Sequence, residues 1–144
     1  MKSYDLTRFK DAQSQVYTIA VTELRRWKKE SHRMQYIFPQ IEGVDYSEMA
    51  KRYAIKDIEE AKAFLKDETL WARLSEMANI LLSFSTHDPK QIFWDVDSRK
   101  LHSSMTLFLK ADPSNEVFKK VIYKFFYWNL DPNTLRILNI DDED

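Results

Sequence analysis

The chain has 144 residues, of which 44% are hydrophobic and 14% are aromatic, and its formal net charge is −1. This composition predicts one packed domain over residues 1–140, and the nearly neutral charge argues against a general attraction to nucleic acid or anionic lipid. The sequence contains no cysteine, which excludes disulfide bonds, thiolate metal sites and a cysteine nucleophile.

The sequence contains a single glycine, Gly43. Rossmann and Walker A phosphate loops need several glycines and tight β-hairpins usually need one each, so the composition predicts an all-α fold of seven or eight helices. No apolar run approaches the roughly 18 residues that span a bilayer, and the N-terminus lacks the apolar core of a signal peptide. We therefore expect a cytoplasmic protein that has no membrane partner and needs no cofactor.

The first half of the chain shows helical spacing on both sides of one interruption. After a cap at Asp5, apolar residues at steps of three and four predict a long amphipathic helix that reaches Trp27. The segment Ser31–Gln40 is expected to be a buried, extended connector, because Pro39 disfavours helical geometry in the residue before it. Capping boxes and apolar spacing then predict helices over Ser47–Tyr53 after Asp45, over Ile58–Leu65 after Asp57, and from Asp67 or Thr69 to Leu82.

The second half contains three Asp-Pro pairs, and aspartate at the cap with proline at the first helical position is a strong start signal. The pairs predict helices over Lys90–Trp94 after Asp88-Pro89, over Ser114–Trp128 after Asp112-Pro113, and over Asn133–Leu138 after Asp131-Pro132. Between the first two pairs, Asp97 or Ser98 is expected to cap a helix that carries Leu101, Met105, Leu107 and Phe108. The acidic residues 141–144 are expected to form a frayed tail.

Lys100, Ser103 and Ser104 are the best candidates for binding an anion. Positions three and four apart share a helix face, and these residues would lie near the positive end of a helix dipole. For the two serines, anion binding and helix packing both stay open as interpretations, since small hydroxyl residues also allow helices to pack closely. A Ser–Lys nucleophilic pair is disfavoured, because the order of the residues is not that of the SxxK enzymes.

The histidines and the basic cluster carry weaker signals. His32 is either a structural histidine or a ligand donor or general base, with Arg33 and Gln40 near it in sequence. The three histidines do not have metal-ligand spacing, so no metal site is expected. The basic residues between Arg25 and Arg33 are interrupted by Glu30, which is typical of a solvated helix face and argues against a nucleic-acid partner.

Four segments occur in an order that resembles a known family. They are SHRMQYIFPQ at 31–40, SEMAKRYAI at 47–55, KLHSSMTLF at 100–108 and DPNTLRIL at 131–138. The chain resembles the domain-of-unknown-function 1810 family, some of whose members carry the label "calpastatin". The resemblance covers about Leu6 to Leu138 and implies a mainly helical single-domain fold, with no established activity.

The chain departs from the family pattern in two ways. The family commonly has SHWMW where this chain has SHRMQ at 31–35, so Arg33 and Gln35 replace aromatic residues. Family members also usually carry glycine near Trp94 and near Asn129. Within the matching segments, the positions that agree with the family pattern and that we single out are His32, Pro39, Gln40, Tyr53, Lys100, Ser103 and Ser104.

These observations lead to a primary hypothesis and two competitors. The primary hypothesis is a pocket for a small anionic ligand, nucleotide-like or phosphorylated, where the Ser31–Gln40 connector meets the Lys100 helix. The candidate ligand-binding residues are His32, Gln40, Tyr53, Lys100, Ser103 and Ser104. The first competitor is a non-catalytic protein-interaction module that uses exposed aromatic residues such as Trp27, Tyr127 or Trp128. The second is a hydrolase acting on a nucleotide-like substrate, and the sequence assigns it no catalytic residue.

Overall fold

A computed structural model describes residues 4–25, 37–92 and 95–139 of the chain. Within these ranges it contains seven α-helices and one 3-10 turn, which confirms the predicted all-α class. The helices are α1 Thr7–Arg25, α2 Glu48–Tyr53, α3 Ile58–Lys66, α4 Glu68–Ser83, α5 Asp95–Ala111, α6 Glu116–Phe126 and α7 Pro132–Leu138, with the 3-10 turn at Pro89–Gln91 between α4 and α5. The acidic residues 141–144 lie outside the described ranges, as do residues 31–36.

Four aspartates begin helices as predicted. Each has extended backbone geometry and accepts a hydrogen bond from a backbone N–H in the first turn, which satisfies a donor that the helix itself leaves without a partner. The pairs are Asp57 with the N–H of Glu60 at 2.8 Å, Asp67 with Leu70 at 3.0 Å, Asp88 with Lys90 at 2.9 Å and Asp131 with Thr134 at 3.1 Å.

Two aspartates predicted as caps, Asp45 and Asp112, lie before the residue that caps the helix. Asp45 accepts the N–H of Ser47 at 3.0 Å, and Ser47 itself caps α2 by accepting the N–H of Ala50 at 3.1 Å. Asp112 does not begin α6, because its own N–H still donates to the carbonyl of Phe108 and so continues the last turn of α5. The cap of α6 is Asn115. In both places the predicted aspartate shapes the turn that precedes the helix.

Helix α5 begins at Asp95, two residues earlier than the earlier of its two predicted caps. Asp97 and Ser98 therefore lie inside its first turn, and both are buried. Lys100 is the sixth residue of the helix, further from its positive end than the predicted boundary placed it. The expected helix over Lys90–Trp94 is a 3-10 turn over Pro89–Gln91 in its described part.

Helix α5 lies at the centre of the fold. It contacts α3, α6, α7 and the 3-10 turn. The six consecutive residues 103–108 are all buried, so the helix has no solvent-facing side over this stretch. A helix surrounded in this way belongs to the core. No helix in the described ranges is both long enough and apolar enough to cross a bilayer.

A chain of aromatic rings runs through the core and connects six helices. Its central member is Phe108 of α5, whose ring centroid lies 5.2 Å from that of Phe64 and 5.7 Å from that of Phe118. The outer members continue from Phe64 to Phe9 and Tyr53, and from Phe118 to Trp71. Rings at these separations add attraction beyond the burial of their area, so this chain fixes how the helices meet.

The segment before α2 is held by the linker between α2 and α3. Ile55 donates its N–H to the carbonyl of Gln40 at 2.8 Å and accepts the N–H of Glu42 at 2.8 Å, which forms a single parallel bridge between Ile41 and Ile55. Residues 37–40 are all buried, as predicted for the connector. Ile37 has helical geometry, whereas an extended connector was expected there.

The turn after α6 presents two aromatic side chains to solvent. Tyr127 and Trp128 both have positive φ, at 53° and 68°, and their side chains are 73% and 62% exposed. The N–H of Trp128 donates back to the carbonyl of Ile122 at 3.4 Å, so the left-handed geometry closes the end of the helix. The ring of Trp128 lies 4.8 Å from that of Tyr123, which is also exposed.

Replacing the central ring tests the importance of the aromatic chain. Because Phe108 is fully buried between two other rings, we expect Phe108→Ala to lower the free energy of unfolding by about 3–5 kcal/mol in a denaturant titration. Tyr46→Ala, at a residue that is 75% exposed, is the control and should change it by less than about 0.5 kcal/mol. Similar losses for the two variants would contradict the assignment of α5 as the core helix.

The cap of α4 predicts a dependence of stability on pH. Burial acts to raise the pKa of Asp67, but the hydrogen bond and charge of Lys10 and the N–H of Leu70 outweigh it, so the pKa lies below its usual 3.8. The resulting stabilisation is present above pH 3.8 and is lost as the pH falls through the lower folded-state value. We expect the stability difference between the wild type and Asp67→Asn, which keeps a good capping side chain, to shrink on acidification below about pH 4. A difference that stays constant from pH 6 to pH 3 would show that Asp67 acts without its charge.

Candidate ligand-binding pocket

A cavity of about 360 Å³ lies where the loop before α2 meets α5 and the start of α7. The loop is held in place by the Ile41–Ile55 bridge, and the start of α7 by the Asp131 cap. The cavity is lined by Gln40, Val44, Asp45, Arg99, Lys100, His102, Ser103, Asp131 and Asn133.

Three of the predicted ligand-binding residues line this one cavity. Gln40 comes from the end of the connector, and Lys100 and Ser103 come from α5, so the two segments meet as the primary hypothesis requires. Ser104 is buried beside Ser103 but is not part of the lining. His32 lies outside the described residues.

Tyr53 lies elsewhere. It lines a cavity of about 470 Å³ beside α1, together with Asp5, Arg8 and Arg52. Its ring is also the outer member of the aromatic chain, 6.4 Å from Phe9. Although this second cavity is larger, the guanidinium of Arg8 already bonds the carbonyl of Ala54 at 2.7 Å and the buried Glu60 at 3.0 Å. We therefore take the cavity beside α5 as the candidate site.

The structure adds lining residues that the sequence interpretation did not select, namely Asp45, Arg99, His102, Asp131 and Asn133. The two aspartates were interpreted only as helix caps, and His102 was given no role in binding. Helical spacing could have indicated Arg99 and His102, because residues three apart share a helix face. Arg99 and His102 have this spacing, as do the predicted Lys100 and Ser103. For the aspartates the sequence held no comparable signal.

Lys100 is a largely buried cation. Its side chain is only 11% exposed, and its Nζ lies 3.6 Å from Oδ1 of the buried Asp97, which makes an ion pair rather than a hydrogen bond. Burial lowers the pKa of Lys100 below its ordinary value, while the charge of Asp45 acts in the opposite direction. The lysine therefore supplies a positive charge with little hydration, and such a charge attracts an anion more strongly than an exposed one.

Ser103 belongs to a line of hydrogen bonds that joins α5 to α7. Its Oγ lies 2.8 Å from Oγ1 of Thr134, and that hydroxyl donates to Oδ2 of Asp131 at 2.6 Å. Ser103 and Thr134 are both buried. The residues that cap α7 are therefore the residues that hold the serine at the cavity wall.

His102 is fixed by two contacts. Its Nε2 lies 2.6 Å from the carbonyl oxygen of Asn129, and its ring stacks on Phe126 with centroids 4.1 Å apart and an interplanar angle of 10°. The main-chain carbonyl of His102 accepts a hydrogen bond from Thr106, whose hydroxyl also accepts the N–H of Asp131 at 2.9 Å. The ring is therefore held in one orientation at the cavity wall.

Gln40 contributes an unsatisfied polar atom. The side chain is 7% exposed, and among the described residues its Oε1 has no hydrogen-bond partner. Ser104 Oγ, one residue beyond the lining residue Ser103, is also buried without a partner in the same ranges. A buried polar atom without a partner costs about 1–3 kcal/mol, so such atoms in and beside a cavity indicate a place where a polar ligand would be stabilised.

The described residues do not assemble a metal centre. No group of three or more histidine, aspartate or glutamate side chains lies close enough together in these ranges to hold an ion.

Comparison with known proteins gives the family. Residues 3–138 match the family described as a protein of unknown function, DUF1810. The chain belongs to this family. The match confirms the resemblance inferred from the four sequence segments.

A solved relative has the same fold. The crystal structure of the conserved hypothetical protein Rv1873 from Mycobacterium tuberculosis matches this chain with a TM-score of 0.91. The two sequences are 37% identical, and the match covers 96% of this chain and 99% of the Rv1873 chain. No curated protein matches the sequence. The match to the DUF1810 family and the Rv1873 structure thus support the fold and assign no ligand.

The two cations of the pocket should differ in their effect on stability. Lys100→Met removes the ion pair with the buried Asp97 at 3.6 Å, so we expect the free energy of unfolding to fall by about 1–3 kcal/mol. Arg99 is exposed, and Arg99→Ala should cost less than about 1 kcal/mol. Denaturant titration of both variants measures the difference. Equal losses would mean that the contact between Lys100 and Asp97 contributes little to the fold.

Proposed function

We propose that this protein is a cytoplasmic binder of a small anionic ligand, nucleotide-like or phosphorylated, held in the cavity beside α5. The observation that carries the proposal is the buried Gln40 amide, whose oxygen has no partner among the described residues, in a cavity that also contains Lys100. A polar ligand would satisfy this amide, and an anionic one would also interact with the lysine.

The charges of the lining residues support an anion held at one side of the cavity. Arg99 and Lys100 are consecutive on α5, and the first is exposed while the second is buried. An exposed arginine can attract an anion from solvent and bind two of its oxygens at once, and the buried lysine adds a charge in a less hydrated place. The carboxylates of Asp45 and Asp131 would repel an anion from their own part of the wall.

The size of the cavity limits the ligand. A volume of about 360 Å³ is near the lower end of the roughly 300–1,000 Å³ that is usual for small-molecule sites. It favours a mononucleotide or a sugar phosphate over a dinucleotide or a macromolecular partner.

A ligand screen tests the proposal. We expect one or more members of a panel of mononucleotides and sugar phosphates to raise the thermal unfolding midpoint by several degrees, because ligand at 100 times its dissociation constant adds about 2.7 kcal/mol of stability. Arg99→Ala should weaken this effect, since it removes a lining cation without disturbing the core.

The matched control is Arg136→Ala. Arg136 is also exposed, lies on α7, and lines neither the cavity beside α5 nor the one beside α1. It should leave the midpoint shift unchanged. Equal weakening by the two arginine variants would indicate a nonspecific charge effect, and no shift with any member of the panel would overturn the proposal.

A second candidate function is a protein-interaction module. The observation in its favour is the exposed pair Tyr123 and Trp128, whose rings lie 4.8 Å apart, with Tyr127 next to them in sequence. Trp128→Gly removes the ring and keeps the left-handed backbone, because glycine adopts positive φ freely. If the protein is an interaction module, Trp128→Gly should lose partner binding and Arg99→Ala should keep it. If it is a small-ligand binder, Arg99→Ala should weaken ligand binding in titrations and Trp128→Gly should keep it.

A further inference from the structure

We infer that the pocket selects phosphate esters that carry hydroxyl groups, the chemical class of sugar phosphates and nucleotides, and discriminates against phosphates that lack hydroxyls. The inference rests on the proposed function and extends it. Its basis is that hydrogen bonds within the protein fix two lining groups, Ser103 and His102, so that each has only acceptor capacity left for a ligand.

The direction of the hydrogen bonds at Ser103 follows from the carboxylate at the end of the line. A carboxylate oxygen accepts, so the hydroxyl of Thr134, 2.6 Å from Oδ2 of Asp131, must donate to it. The hydroxyl of Thr134 has a single hydrogen, so across the 2.8 Å contact with Ser103 its oxygen must accept. The hydrogen of Ser103 is therefore used within the protein, and what remains for a ligand is its lone pair.

The same reasoning fixes His102. The carbonyl oxygen of Asn129 can only accept, so Nε2, at 2.6 Å from it, carries the hydrogen. In the neutral ring the hydrogen on Nε2 leaves Nδ1 as an acceptor. Stacking on Phe126 at 4.1 Å opposes the ring rotation that would carry Nε2 away from this carbonyl.

These two residues are the types that usually donate to phosphate, and here they are committed elsewhere. The carboxylates of Asp45 and Asp131 and the amide oxygen of Gln40 are further acceptors in the lining, which also contains the two cations Arg99 and Lys100. A bare phosphate at the cations would bring no donor to the lone pair of Ser103, to Nδ1 of His102 or to the amide oxygen of Gln40. Hydroxyl groups on the same ligand would supply them, and a site built to bond a hydroxyl rejects an analogue that lacks it by a large factor.

A matched pair of ligands tests the inference. Glycerol 3-phosphate and n-propyl phosphate have the same carbon chain and phosphate and differ by two hydroxyl groups. By isothermal titration calorimetry we expect the wild type to bind glycerol 3-phosphate at least about tenfold more tightly, since tenfold corresponds to about one or two satisfied hydrogen bonds. Ribose 5-phosphate and AMP, titrated in parallel, distinguish a free sugar phosphate from a nucleotide as the source of the hydroxyls, and tight binding of either supports the inference.

Two variants separate hydroxyl selection from phosphate binding. His102→Phe keeps a ring that can stack on Phe126 and removes the acceptor, so the ratio of the two affinities should fall at least about threefold while the affinity for n-propyl phosphate stays within twofold. Thr134→Val keeps the shape of the side chain and frees the hydroxyl of Ser103, so binding of n-propyl phosphate should strengthen. Thr22→Val, at an exposed residue of α1, is the matched control and should change neither affinity.

These measurements distinguish a failure of the inference from a failure of the proposed function. Equal affinity of the wild type for the two phosphates would overturn the selection of hydroxyl groups and leave the proposed anion site standing. The selection would also be overturned if His102→Phe left the ratio unchanged and Thr134→Val did not strengthen n-propyl phosphate. If none of the four phosphates binds, the proposed function and the inference both fail.

Discussion

The fold depends on the burial of α5 on all sides over residues 103–108. Because the helix has no solvent-facing side over residues 103–108, its hydroxyl groups must find partners inside the protein or remain unsatisfied. Ser103 bonds Thr134, and Thr106 donates to the carbonyl of His102. The bond from Ser103 to Thr134 and the bond from the N–H of Asp131 to the hydroxyl of Thr106 join α7 to the core. Ser104 is the exception among the described residues, and it lies next to the pocket.

This arrangement makes the pocket and the fold share the same atoms. Asp131 caps α7 and lines the cavity, and Asp45 shapes the turn before α2 and lines the same cavity. Lys100 is the more buried of the two lining cations and also forms an ion pair with buried Asp97. We expect variants at these positions to change stability together with the proposed binding, so the informative substitutions are at Arg99 and His102, which are less buried than Lys100.

The helices could be predicted because their signals are local. Apolar spacing and capping residues act within a few positions, and Asp57, Asp67, Asp88 and Asp131 cap helices as expected. Asp112 failed because its amide remains bonded to α5, a condition that depends on where the preceding helix stops. The meeting of the connector with α5 at Gln40 and Lys100 followed from two polar segments beside apolar ones. Asp45 lines the same cavity because of the turn before α2 and the bridge between Ile41 and Ile55, and these depend on contacts between segments that are distant in the sequence.

The turn after α6 has a consequence for protein engineering. Two consecutive residues with side chains, Tyr127 and Trp128, occupy left-handed geometry that glycine adopts at lower cost. Bulky residues in such a turn have few alternative conformations, so the chain leaves α6 along a restricted path and the carbonyl of Asn129 stays directed at His102. Glycine at either position would keep the left-handed geometry and relieve local strain, but it would also give the unfolded chain more conformations to lose on folding. A more heat-stable version of this protein is therefore better sought by redesigning other surfaces than by relaxing this one.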